Sequence, residues 1–413
     1  MVWEGEEMAL IGSIYIGGND GKPESGVVFN SGIAFFLEVD SKITKLFTYD
    51  NDWEVEVCQE NQYIIARSKQ ILTVKQILST GFELCQKSLD LLSVEGQGEM
   101  NINSPGDKYA ILFNSERQTI LRYVSITDIG ISVIASLVVH DKDGNIIPDL
   151  PKPPVNWAPA FRYYRLSQSS RDLYEAYRNL YLGLESMLNI ICPEVKGEGE
   201  RNWLLRALHK VNKKTPLLSL VPKNCSDPVT CIVKDQYDNI RCKLFHAKRK
   251  TVLPYETFDP TVVSTAYKTL LMLWHQIAIK YLSINRVGGV FTHQGFKNMT
   301  DTFFKKQFIY YATSDPSVPT KEDVAITPLD FPVFSFDENK YEGEIAPGRA
   351  LITSVLTKAL IQIDVIHRLY SKVEDILFSI SYIKDGIYPL GINRLENQEI
   401  IRLINKTRPK TIF

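Results

Sequence analysis

The sequence predicts an α+β multidomain protein, with a central antiparallel four-helix bundle between two strand-rich, mixed α/β domains. Three observations carry this reading. A proline cluster, IPDLPKPPVNWAP, places five prolines in thirteen residues at 147–159. Beyond it, apolar residues recur at helical spacing as far as about residue 285. On either side, short apolar or alternating runs are separated by Gly, Asn and Asp, as in strands joined by turns. The implied domains are 1–157, 158–285 and 286–413.

The first region opens with strand-like runs at Ile11–Ile16 and Gly26–Val39. Val74, Ile77, Leu78, Phe82, Cys85, Leu89 and Leu92 then share one face of an amphipathic helix. Strand patterns return at Tyr109–Phe113, Ile120–Ser125 and Ile129–Val139, before a turn at Asp141–Gly144. Proline removes a backbone donor and fixes φ, so neither a helix nor a central strand runs through 147–159.

In the middle region, Ser169 and Ser170 offer N-caps and Asp172 falls in the first turn. Leu173, Tyr177, Leu180, Tyr181, Leu184, Leu188 and Ile191 form an apolar stripe that ends at Pro193. After a turn at Lys196–Glu200, Trp203, Leu204, Ala207, Leu208 and Val211 mark a second helix. A third runs from Pro228, at N1 behind the cap Asp227, to Phe245. Asp259-Pro260 opens a fourth, with Val263, Tyr267, Leu270, Leu271, Trp274, Ala278 and Leu282 inward. Past Gly288-Gly289, residues 290–313 read as strands or a short helix, 314–345 as loop with short strands, and 351–360 as helix. Residues 361–368 and 376–383 read as strands, and 397–404 as a short amphipathic helix.

Bulk properties exclude several classes. The chain has 413 residues, a net charge of −1, 44% hydrophobic and 23% charged residues, which is ordinary for a globular protein. Nucleic-acid contact therefore has to come from a local basic patch. The amino terminus MVWEGEEMALIGSIYIGG has no basic n-region and does not read as a signal peptide. No apolar run reaches the ~18–20 residues of a membrane span, so the expectation is a cytoplasmic protein without membrane contact. The six cysteines are scattered without a CxxC pair, which argues against a disulfide framework. There is no HExxH, CxxC…CxxC or Asp-rich calcium loop, so neither a metal nor a cofactor is expected.

One segment stands out. In DNIRCKLFHAKRK, residues 238–250, Arg241, Lys243, Lys248, Arg249 and Lys250 surround His246. Arg241 and His246 are five apart, which on an ideal helix separates them by about 140°. A long arginine with a helix ending near His246, or two copies meeting across a dimer, would bring them to one surface. Such a pair suits RNA cleavage without a metal. Histidine can move protons to or from the 2′-hydroxyl and the 5′-oxygen near neutral pH. A guanidinium can stabilise the charge that builds on phosphorus. The other four cations can hold flanking phosphates. The plain alternative is a solvated basic face that complements a helix C-terminus. Cys242 reads as a small packing residue, His209 as solvated, and His275 and the pairs Tyr163-Tyr164 and Tyr310-Tyr311 as packing groups.

The segment resembles the HEPN superfamily, whose signature is an arginine, four to six residues, then a histidine, late in a four-helix bundle. Arg241-Cys-Lys-Leu-Phe-His246 has the four-residue spacing. The helix Tyr174–Ile191, with its YLGLESML core, is similar to the first long helix of such modules. The run from Ala247-Lys-Arg-Lys250 to Leu253-Pro254, followed by a long helix, resembles the Apea-like and methylamine-utilisation-J-like branches. The resemblance covers about 125 residues. It implies a regulated endoribonuclease of defence or toxin type, acting on RNA, with a site often built from two protomers. Glu185 on the first helix would orient Arg241. Cys242 stands where many active members carry a polar residue, commonly Asn, so a non-catalytic binding or scaffold role stays open. An accessory role in methylamine metabolism stays open on the branch resemblance.

Overall fold

The computed structural model describes residues 8–19, 28–50, 52–102, 106, 108–115, 118–131, 140–147, 157–246, 253–256, 260–284, 292–306, 308–320, 331–374 and 376–405. The chain forms two compact units. One joins residues 1–129 to 292–403, and the other holds residues 130–291.

The first unit is built from strands contributed by both ends of the chain. The amino-terminal part supplies β1 (Met8–Ile11), β2 (Ile14–Asn19), β3 (Val28–Phe29), β4 (Ser31–Phe36), β5 (Lys45–Tyr49), β6 (Trp53–Val57), β7 (Tyr63–Ser68), β8 (Tyr109–Ser115) and β9 (Gln118–Ile131). The carboxy-terminal part supplies β10 (Phe308–Thr313), β11 (Val333–Ser335), β12 (Glu338–Ala346), β13 (Arg349–Leu356), β14 (Ile366–Val373), β15 (Ile376–Pro389) and β16 (Arg394–Asn405). One sheet runs β11-β10-β14-β15-β1-β2-β3 and the other β12-β13-β16-β9-β8-β4-β7-β6-β5. Because β15 pairs with β1 and β16 lies beside β9, the two flanks complete each other's sheets.

This corrects the expected architecture: the strand-rich flanks are not two domains on either side of a bundle. Helix α1 (Val74–Val94) forms over the expected stripe, closed by a capping box between Thr73 and Gln76. It packs Ile77, Phe82, Cys85 and Leu89 inward. Segments 351–360 and 397–404, expected as helices, lie largely in β13 and β16. Their inward positions alternate as in any half-buried strand, but on β16 they include Asn397 and Glu399 as well as Leu395 and Ile401. Polar residues on the buried face made the strand period look helical.

The second unit is helical, but a four-helix bundle is not its architecture. It contains α2 (Pro159–Ser169), α3 (Leu173–Ile191), α4 (Glu200–Asn212), α5 (Pro228–Ile232), a π-helix (Val233–Arg241), α6 (Cys242–Phe245) and α7 (Thr261–Tyr281). Helix α2 starts with Pro159 at its first position, where proline's missing N–H costs nothing, so the proline cluster ends by opening a helix. It packs on α3 at Gly183, where a Cβ would meet Trp274 Nε1 at 3.2 Å and the Ala160 carbonyl oxygen at 3.3 Å. Asp172, not Ser169 or Ser170, caps α3 by accepting from Glu175 N. The core joins Tyr177, Leu180 and Leu184 of α3, Trp203 and Leu208 of α4, Val229 and Ile232 of α5, and Leu270, Trp274 and Ile277 of α7. Among the described residues, no helix is long and apolar enough to cross a membrane.

Cysteines read as unpaired also need correction, because Cys225 and Cys231 form a disulfide. The loop before α5 folds back on that helix's first turn, and this brings the two residues together across six positions of sequence.

Candidate functional site

The site is organised by the helix that passes from α5 through the π segment into α6. Asp227 caps its start by accepting from Val229 N and Thr230 N. The α-helical ladder gives way to i→i+5 bonding at Val233. A tertiary contact accounts for the change. The buried hydroxyl of Tyr177, on α3, donates to the Gln236 carbonyl oxygen at 2.9 Å, which inserts a side chain into the ladder. The Gln236 amide donates in turn to the Ala266 carbonyl on α7 at 3.2 Å. The π segment is thereby held between two neighbouring helices.

Arg241 is its last residue. Its guanidinium lies between the rings of Tyr237 and Phe245, at 5.3 and 5.2 Å. Nη2 is 2.5 Å from Glu200 Oε1 and 3.7 Å from Glu185 Oε1. Nη1 lies 3.3 Å from His246 Nε2, so this nitrogen accepts and the ring carries its proton on Nδ1 in that pairing. The Tyr237 hydroxyl donates to the other Glu200 oxygen at 3.2 Å.

Arg241 and His246 therefore meet within one chain, although an ideal helix would hold them about 140° apart. Helix α6 ends at Phe245, and His246 leaves it with φ −123° and ψ 88°, which frees the ring to turn back toward the arginine. His246 is exposed, whereas the Arg241 side chain is only 14% exposed.

Electrostatically, the group centres on two carboxyls and one guanidinium. Burial raises the pKa of Glu185 well above the ordinary carboxylate range, and the neighbouring Glu200 carboxyl raises it further against the opposing pull of Arg241. Glu185 thus holds a proton more tightly than a solvated glutamate. Behind it lies the fully buried Tyr181, one turn earlier on α3. Lys243 is exposed on the following turn. Lys248, Arg249 and Lys250 lie outside the described residues.

Three neighbours carried no signal in the sequence reading. Glu200 was placed in a turn, yet it is the first residue of α4 and makes the shortest contact to Arg241. Tyr237 had no assigned part. Arg178, one turn before Tyr181, stands 5.4 Å over the Phe245 ring and pairs with Glu175. The spacing Tyr237–Arg241–Phe245, four apart each time, was the available clue to Tyr237. Cys242 is partly buried and free. Away from the site, Tyr164 stacks on Trp274 with ring centroids 4.4 Å apart, and its hydroxyl meets His275 Nε2 at 3.2 Å. Among the described residues, no cluster of His, Cys, Asp or Glu is arranged to hold a metal ion.

No protein-family model matches the chain, and neither a curated protein nor a solved structure matches it. The site is therefore read from its own geometry.

Proposed function

We propose that the helical unit is a HEPN-like, metal-independent endoribonuclease. The observation that carries this reading is the 3.3 Å approach of Arg241 Nη1 to an exposed His246. His246 takes the proton of a ribose 2′-hydroxyl as that oxygen attacks the adjacent phosphorus. The bond from phosphorus to the 5′-oxygen breaks, and the same imidazole or solvent returns a proton to the leaving oxygen. A 2′,3′-cyclic phosphate and a 5′-hydroxyl result. Arg241 stabilises the charge on phosphorus, and Glu185 and Glu200 fix its orientation. Lys243, with Lys248, Arg249 and Lys250, holds neighbouring phosphates. By analogy with such modules, the setting is a cytoplasmic defence or toxin-like effector acting on RNA as a homodimer.

A binding-only reading has one observation in its favour. Glu200 already occupies Arg241, and Cys242 stands beside it in place of a polar residue. Incubation of purified protein with RNA, with and without EDTA, separates the two. Cleavage is expected to persist in EDTA and to fall by about 10²–10⁴-fold in His246→Ala. Arg241→Ala is expected to lose cleavage as well. Equal cutting by parent and variants removes these residues from the chemistry. A gel shift with intact RNA after long incubation supports binding alone.

A further inference from the structure

The environment of Arg241 is closed on nearly every side. Its two faces are covered by Tyr237 and Phe245. Of its in-plane groups, Nη1 faces His246, Nη2 faces Glu200 and Glu185, and Nε is buried without a hydrogen-bond partner among the described residues. A phosphoryl group binds arginine through two parallel N–H···O bonds, along either the Nη1/Nη2 edge or the Nε/Nη2 edge. Both edges include Nη2. Any such ligand must therefore take Nη2 from the Glu200 carboxylate.

Charge decides the outcome of that exchange. Replacing a carboxylate by a phosphodiester swaps one negative charge for another and gains little. A group with two negative charges gains the second attraction in full. Glu200 is well placed to yield: it is 34% exposed, more than the arginine it covers. It opens α4 directly after Gly199, a cap that makes no side-chain bond, and two residues after Gly197, whose φ is +85°.

We propose that Glu200 is a specificity-determining residue, an internal competitor that makes Arg241 engage a dianionic phosphoryl group in preference to a monoanionic phosphodiester. This rests on the reading that Arg241 faces phosphorus. In the cleavage reaction the dianion is the pentacoordinate phosphorus, so Glu200 spends no affinity on the ground-state diester and yields as the reaction proceeds.

The test titrates the full chain with inorganic phosphate and with dimethyl phosphate at about pH 8, above the second phosphate pKa near 6. Histidine-ring NMR signals report occupancy beside His246, and Arg241→Ala serves as the control. The parent is expected to favour inorganic phosphate by about tenfold or more. Glu200→Gln is expected to shrink that preference severalfold by binding dimethyl phosphate more tightly. Tyr237→Phe, which keeps the carboxylate but removes its hydrogen bond, is expected to move the ratio partway in the same direction. It also provides a reading if Glu200→Gln fails to fold. An unchanged ratio, or weaker binding of both anions, overturns the proposal and leaves Glu200 a positioning residue. If neither parent nor variants bind either anion while their melting is unchanged, the phosphoryl reading of Arg241 falls, and this inference with it.

Discussion

Two arginines, one in each unit, are surrounded by nearly the same set of groups and are put to different use. Arg67 lies between the rings of Tyr15 and Phe29, at 4.3 and 5.1 Å, and pairs with Glu54 and Glu56 at 3.0 and 2.6 Å. Arg241 also has two rings and two glutamates. In the sheet unit the match is complete. Glu54 takes both Nε and Nη2 of Arg67, and Nη1 serves Glu56 and the Tyr15 carbonyl. The two carboxylates come from β6, two residues apart on one face of the strand. In the helical unit the carboxyls come from different helices and lie against each other. The guanidinium keeps one N–H unpartnered and reaches an exposed histidine. The composition of a cluster therefore does not define its role. Arg67 closes a structural contact, while Arg241 retains groups that an incoming ligand can reorganise.

Removing each arginine gives the sharpest contrast. Arg67→Ala strands two carboxylates against a sheet and is expected to cost about 3–5 kcal/mol of unfolding free energy. Arg241→Ala leaves two carboxyls that can share a proton and is expected to cost less than half as much. Urea denaturation of both variants checks this, and equal losses would erase the distinction.

A second contrast lies between the two buried carboxyls. Glu399 accepts from the hydroxyls of Thr127, Tyr310 and Ser379, drawn from both sheets, with no cation among these partners. Burial pushes its pKa up from 4.5 to about 7. A carboxyl whose folded pKa is raised contributes stability while protonated. That contribution is whole below pH 4.5 and is lost as the pH rises through about 7. Parent stability is expected to fall across this window by an amount on the order of 3 kcal/mol, and Glu399→Gln to flatten the curve. Glu185→Gln is expected to act with the same sign but a smaller amplitude, since its side chain is 22% exposed. Urea midpoints at about pH 5 and pH 8 distinguish the two. A parent curve that rises over this range refutes the assignment of Glu399.

The smallest expected effect is at the cap of the helix that carries the site. Asp227→Ala is expected to cost about 1 kcal/mol, typical of a lost N-cap. The loss should appear in the helical unit and leave the Arg67-dependent stability of the sheet unit untouched. Hydrogen exchange resolved by segment separates these outcomes.

Legibility in the sequence followed the range of the interactions. Helices α1, α3 and α4 were marked by their own apolar stripes, because an amphipathic face is written in residues three and four apart. Pro228 and Asp227 marked the start of the third helix for the same reason. The strand β16 was hidden by Glu399 and Asn397, whose inward placement is satisfied by residues of other strands. The joining of the two flanks was equally invisible, since no local signal states that β15 will pair with β1.

The sequence by itself determined that residues 241 and 246 bring an arginine and a histidine near a helix end, and that a helical region interrupts strand-rich ones. Tertiary structure decided whether those two side chains meet. The π segment depends on Tyr177 reaching Gln236 from 59 positions away. The occupant of Arg241, Glu200, comes from a third helix whose start was read as a turn. Local spacing sets which groups are available, whereas their contacts are set by burial and hydrogen bonding across helices, which no single segment encodes.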